Sequence, residues 1–159
     1  MNRGTHIFIG LSLGLLICGQ RTSLTALCAI MGSIGGWFPD LDLFFKHRKS
    51  LHNIPSLLIT GTALYTMTYL LAKSFTTVVP GSIASLTAYS FIAGYSMHIF
   101  GDSLTTMGVY VLWPFSNYKL RLAKMKSNGF FINFLGVLLG LAFIALWARD
   151  FIYSALILG

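Results

Sequence analysis

GFFINFLGVLLGLAFIALWA, residues 129–148, runs for twenty residues without a charge. A helix crosses the hydrocarbon core of a bilayer in about 20 mostly apolar residues, so this stretch reads as a transmembrane helix. Working outward from it, four more apolar segments precede, at 5–19, 23–38, 54–72 and 82–101, and a short apolar tail, 151–158, follows Arg149 and Asp150. Small residues recur inside them: Gly10 and Gly14, then Gly32, Gly35 and Gly36, then Gly136 and Gly140. Such residues let helix backbones approach where lipid gives no hydrophobic drive to associate. The expected fold is therefore all-α, a polytopic membrane helix bundle of about five transmembrane helices in a single domain over 1–159. The first two segments are short for spans and are expected to thin the bilayer locally or to pack inside the bundle.

Composition agrees. The chain is 55% apolar and 9% charged, with a mean hydropathy of +0.75, which leaves too little polar residue to cover a soluble globule of this size. Its net charge of +7 sets eleven Lys and Arg against Asp40, Asp42, Asp102 and Asp150, with no Glu. The basic residues lie between apolar runs, so they fit anionic lipid headgroups better than nucleic acid. The basic stretch 119–126 has one aromatic neighbour, Tyr118, and no nucleic-acid-binding module. Cys18 and Cys28 fall inside apolar segments with no paired spacing and read as small packing residues. No small-x-small cleavage site follows the first apolar run, which is read as a retained helix rather than a signal peptide.

Orientation follows from the positive residues. The N-terminus and the loops 39–53 and 102–128 carry Arg3, Lys46, Arg48, Lys49, Lys119, Arg121, Lys124 and Lys126, eight against Arg21, Lys73 and Arg149 on the other side. That count puts the N-terminus and both long loops in the cytoplasm, in a cell (inner) membrane.

The titratable residues are few enough to follow one by one. His6 begins the first segment. Asp40 and Asp42 follow the second, His47, Arg48 and His52 fill the rest of that loop, and His98 and Asp102 close the fourth. In the topology drawn from Lys and Arg alone, all of these lie at one membrane face. His98 and Asp102 are i and i+4 on a helix, a spacing that lets two side chains chelate one ion. Asp40 and Asp42 stand two apart, so a turn after Pro39 is expected to aim at least one inward, the other orienting a ligating imidazole. His47 and His52 are five apart and reach one ion only if Arg48–Leu51 is not regular helix. A lone interfacial His or Asp is ordinarily a hydrogen-bonded residue or a cap. Three carboxylates and four imidazoles at one membrane face are costly unless cations neutralise them. The expected ligands are thus His6, Asp40, Asp42, His47, His52, His98 and Asp102. Nitrogen and oxygen donors without a thiolate favour Zn²⁺, with Mn²⁺ or Fe²⁺ the alternatives, and seven groups suffice for two ions.

The order Thr5-His6, Pro39-Asp40-Leu41-Asp42, His47-Arg48, His52, His98-x3-Asp102, Thr105, Gly108 and Pro114-Phe115 resembles the YdjM family of membrane-bound, metal-dependent hydrolases over residues 5 to 116. That family is similar, distantly, to the zinc-dependent phospholipase C and S1/P1 nuclease group, in which His98 and Asp102 would match a ligand pair. The chain departs from those soluble enzymes in lacking a Glu ligand and an N-terminal Trp. The resemblance implies a phosphoester hydrolase that uses metal-activated water on a lipid or lipid-phosphate substrate. In that reading Asp42 is the bridging ligand or base, and Arg48 is a fork for phosphate or one more cytoplasmic charge. Thr105 bonds a ligand carboxylate or caps local helix. Trp113, Pro114, Phe115 and Tyr118 are an interfacial belt, the alternative being a lid over an acyl chain. A non-enzymatic protein, either a scaffold with a structural metal or a carrier of metal or protons, is the competing expectation. A carrier would place its ionisable groups near the bilayer midplane rather than at span ends.

Overall fold

A computed structural model describes the backbone of residues 1–19, 22–44, 49–75 and 80–158. It contains five helices, α1 (Arg3–Cys18), α2 (Thr22–Trp37), α3 (Ile54–Phe75), α4 (Pro80–Ser103) and α5 (Phe130–Leu158), with a 3-10 turn over Phe38–Phe44 after α2 and no strands among the described residues.

Each boundary has a local cause. α1 stops where Gly19 takes φ 59°, its N–H reaching back 3.2 Å to the Leu15 carbonyl. Proline disfavours the helical region for the residue before it, so Pro39 ends α2 at Trp37 and tightens the chain into the 3-10 turn. α3 is capped by Asn53, whose Oδ1 accepts the Ser56 N–H at 2.8 Å, with Pro55 in the first turn.

Three stretches are long and apolar enough to cross a membrane: Ser23–Asp42, Ile54–Phe75 and Phe130–Asp150. α3 and α5 present bare apolar side chains outward, Ile59, Phe75, Phe130 and Phe131 among them, as lipid contact demands. α4 is not among the three, and packing explains why. It lies against α1, α2 and α3, burying Ala84, Ser90, Gly94, Tyr95 and His98, so protein rather than lipid is its solvent. α1, at 16 residues, is short for a span, as its sequence indicates.

α1, α2 and α4 touch backbone to backbone. A Cβ on Gly10 would strike the Gly32 carbonyl, and one on Gly94 would strike the same carbonyl from the other side. α5 is fastened to α1 at both ends. Asn133 Oδ1 accepts the Asn2 N–H at 2.8 Å and the Thr5 hydroxyl at 3.0 Å, while the Trp147 indole donates to the Gly19 carbonyl at 3.1 Å.

One sequence expectation needs correction. Residues 151–158 are not a separate tail, because α5 continues through Arg149 and Asp150 to Leu158. The two charges pair with each other, Arg149 Nε and Nη2 lying 2.9 and 2.7 Å from Asp150 Oδ1. A neighbouring opposite charge thus lets the helix run on.

Candidate metal centre

The turn after Pro39, the segment before α3, and the ends of α1 and α4 bring His6, Asp40, Asp42, His52, His98 and Asp102 into one buried cluster. His52 has no exposed surface, and even Asp40, the least enclosed, is only 7% exposed.

His98 is fixed first. Its Nδ1 lies 2.7 Å from the Gly36 carbonyl oxygen, so Nδ1 carries the proton and donates, leaving the Nε2 lone pair aimed into the cluster. His52 Nε2 faces it at 3.2 Å. Two nitrogens bound to one tetrahedral ion at about 2.0–2.1 Å stand about 3.3 Å apart, so this spacing suits a shared cation.

His52 is held from both flanks. Asn53 Nδ2 donates to the carbonyls of Lys49 and Ser50 at 2.6 and 2.9 Å, and the Tyr95 hydroxyl donates to the Leu51 carbonyl. Asp42 Oδ2 accepts the Leu51 N–H at 3.0 Å and stands 3.7 Å from His52 Nδ1. Asp42 therefore sits behind the imidazole and holds the backbone just before it through the Leu51 N–H, while Asp40 turns inward to 3.7 Å from His98 Nε2.

On the far side, His6 stacks on His98 with ring centroids 3.8 Å apart, and its Nε2 lies 3.2 Å from Asp102 Oδ1. The Met1 amine nitrogen is 2.7 Å from the same oxygen. Asp102 Oδ2 is 3.6 Å from His52 Nε2 and 3.8 Å from His98 Nε2. Separations of 3.6–3.8 Å are too long for hydrogen bonds, yet the atoms converge.

Two trios have ligand atoms within 4.8 Å of one another: His6, His98 and Asp102, and Asp40, His52 and His98. Buried polar atoms are normally satisfied, but His6 Nδ1 and Asp42 Oδ1 have no hydrogen-bond partner among the described residues. The donor set, imidazole nitrogen and carboxylate oxygen, fits a divalent transition metal. A site that could hold a metal ion is thus present, and both trios share His98 Nε2.

Of the other expected site residues, His47 and Arg48 lie outside the described residues. Thr105 is fully buried, but its hydroxyl donates 2.8 Å to the Asp102 backbone carbonyl, not to the carboxylate. It ends α4 and leaves the cluster untouched. Phe115 and Tyr118 are exposed.

Sequence reasoning did not anticipate the Gly36 carbonyl, the Tyr95 hydroxyl or the role of Arg3. Arg3 Nε approaches Asp40 Oδ2 to 3.7 Å with over half its side chain exposed, so it stands at the mouth of the cluster. Its position three residues before His6 was the available signal, since i and i+3 share a helix face.

No curated protein and no solved structure matches the chain. The family described as YdjM inner membrane protein matches residues 1–159, the whole length, and the chain belongs to that family.

Proposed function

We propose that the chain is a membrane-embedded, metal-dependent hydrolase that cleaves a phosphoester of a lipid or lipid-linked substrate at the cytoplasmic face. The observation that carries this is the meeting of two buried trios, one of His6, His98 and Asp102 and one of Asp40, His52 and His98, at His98, which Gly36 locks into its ligating tautomer. Zn²⁺ is the ion that best suits the donors, and a bound Zn²⁺ supplies an acidified water and neutralises phosphate oxygens.

The chain's own groups have separate tasks. His6, His98 and Asp102, with His52 beside them, would hold the ion. Asp42 keeps His52 pointed at it. Asp40, the least enclosed carboxylate, is placed to take a proton, and Arg3 beside it offers a planar fork to an incoming phosphate. The cytoplasmic placement rests on the sequence count of eight positive residues against three.

A second reading, a scaffold stabilised by a structural metal, is favoured by the near-complete burial of His6, His52, His98 and Asp102. Metal analysis of detergent-purified protein, with a screen of phospholipid and isoprenoid-phosphate substrates, separates the two. Metal bound by the wild type and lost from His98→Ala, together with turnover lost from His98→Ala and Asp102→Asn, supports the hydrolase. Metal bound with no turnover on any ester supports the scaffold.

A further inference from the structure

We infer that the cleft between α4 and α5 receives one hydrocarbon chain of a lipid whose anionic phosphate head lies at the His/Asp cluster; the assignment of that head as the scissile group rests on the reading above. α5 packs along α1 and scarcely meets α4, and the gap encloses a cavity of about 200 Å³. Its walls are apolar: Met97 of α4, Leu104 just beyond it, Ala123 and Met125 of the following loop, and Leu135 and Leu139 of α5.

The cavity meets the cluster at one end. Met1 and Gly101 line it, and these are the residues against Asp102 and His6: the Met1 amine bonds Asp102, and a Cβ on Gly101 would come within 3.2 Å of His6 Cε1. From there the cavity follows α5 from Ile132 to Leu139, about 10 Å at 1.5 Å per residue. A polar centre at one end of an apolar slot fits an amphiphile.

Charge complements this shape. The segment after α4 folds back on itself where Val109 pairs with Leu120 and Thr105 with Met125. Ala123 and Met125 line the cleft, while their sequence neighbours Lys124 and Lys126 are exposed. Lipid tails gain little by exchanging one apolar surface for another, so the head and the fit of the slot must confer the preference. The outer face of α3, with Leu58, Met67 and Leu70, is apolar too but lacks any such polar end, and it serves as the control for ordinary lipid contact.

The test uses the full-length chain in phosphatidylcholine nanodiscs with a phosphatidic acid carrying a diazirine in one acyl chain. After illumination, cross-links are mapped by peptide mass spectrometry. The expected result is labelling concentrated on Met97, Leu135 and Leu139, lowered about tenfold relative to α3 in Ala123→Phe and in Leu139→Phe, two independent fillings of the slot. Labelling shared equally between α3 and the cleft, unchanged in whichever filled variant folds, overturns the inference. Cleft labelling without phosphate release from any ester would retain the lipid site and remove the hydrolase. Equal hydrolysis of soluble and lipid phosphoesters, unaffected by Ala123→Phe, would do the reverse.

Discussion

Gly36 backs directly onto His6: a Cβ at position 36 would strike the His6 carbonyl oxygen, while the Gly36 carbonyl itself holds His98 Nδ1 at 2.7 Å. One residue without a side chain therefore sets the placement of two imidazoles. Gly36→Ala should push α1 from α2, costing about 1–3 kcal/mol as overpacking does, and should weaken metal binding as well. Gly4→Ala and Gly81→Ala, where a Cβ meets nothing within 4 Å, should be silent in both respects. Thermal unfolding in detergent and metal content, measured side by side, check the contrast.

Asp42 and Asp102 should fail differently. Asp42→Asn removes the carboxylate behind His52 and should lower metal affinity by about 10- to 100-fold, the usual effect of losing an orienting partner. Asp102→Asn replaces a direct donor and should abolish stoichiometric binding. Zinc titration of the two purified variants distinguishes them, and equal losses would place both carboxylates on the ion.

Asn133 is a polar residue in the first turn of α5, and its side chain ties the start of α1 to that helix. Asn133→Leu leaves the Asn2 N–H and the Thr5 hydroxyl without their acceptor, which should cost about 1–3 kcal/mol. Because α5 contributes no ligand, metal stoichiometry should survive at temperatures below the lowered transition. Loss of metal from a still-folded variant would mean that α5 positions His6 more tightly than these bonds imply.

Topology is open to direct labelling. In a background with Cys18 and Cys28 replaced by Ala, Ser116→Cys should react with a membrane-impermeant maleimide only after the cytoplasmic side is opened, and Lys73→Cys should react in intact spheroplasts. The reverse pattern would invert the orientation drawn from the positive residues.

Much of the centre was legible because its chemistry is sparse: four His and four Asp in 159 residues leave few ways to form a site. The spacing of His98 and Asp102 carried weight only beside the other His and Asp at the same membrane face, and Pro39 marked the turn that carries Asp40 and Asp42. What escaped was whatever depends on helix crossings. The Gly36 carbonyl matters only once α2 lies beside α4, and no local pattern states that register. The end of α5 was misjudged for a related reason, since a hydropathy profile registers Arg149 and Asp150 as an interruption and cannot register that they neutralise each other. α4 was legible as a helix from its apolar run, yet its place at the centre of the bundle came only from the company it keeps.

The placement of His6 and Asp102 at opposite ends of nearly the whole cluster-bearing sequence bears on biogenesis. As the chain leaves the ribosome, α1 enters the membrane carrying an imidazole whose partner, 96 residues later, is not yet made. Until α4 arrives, His6 lacks Asp102 and Asp40 lacks His98, a costly state for polar groups at membrane depth. The arrival of the fourth helix is thereby the step at which these groups gain their counterparts.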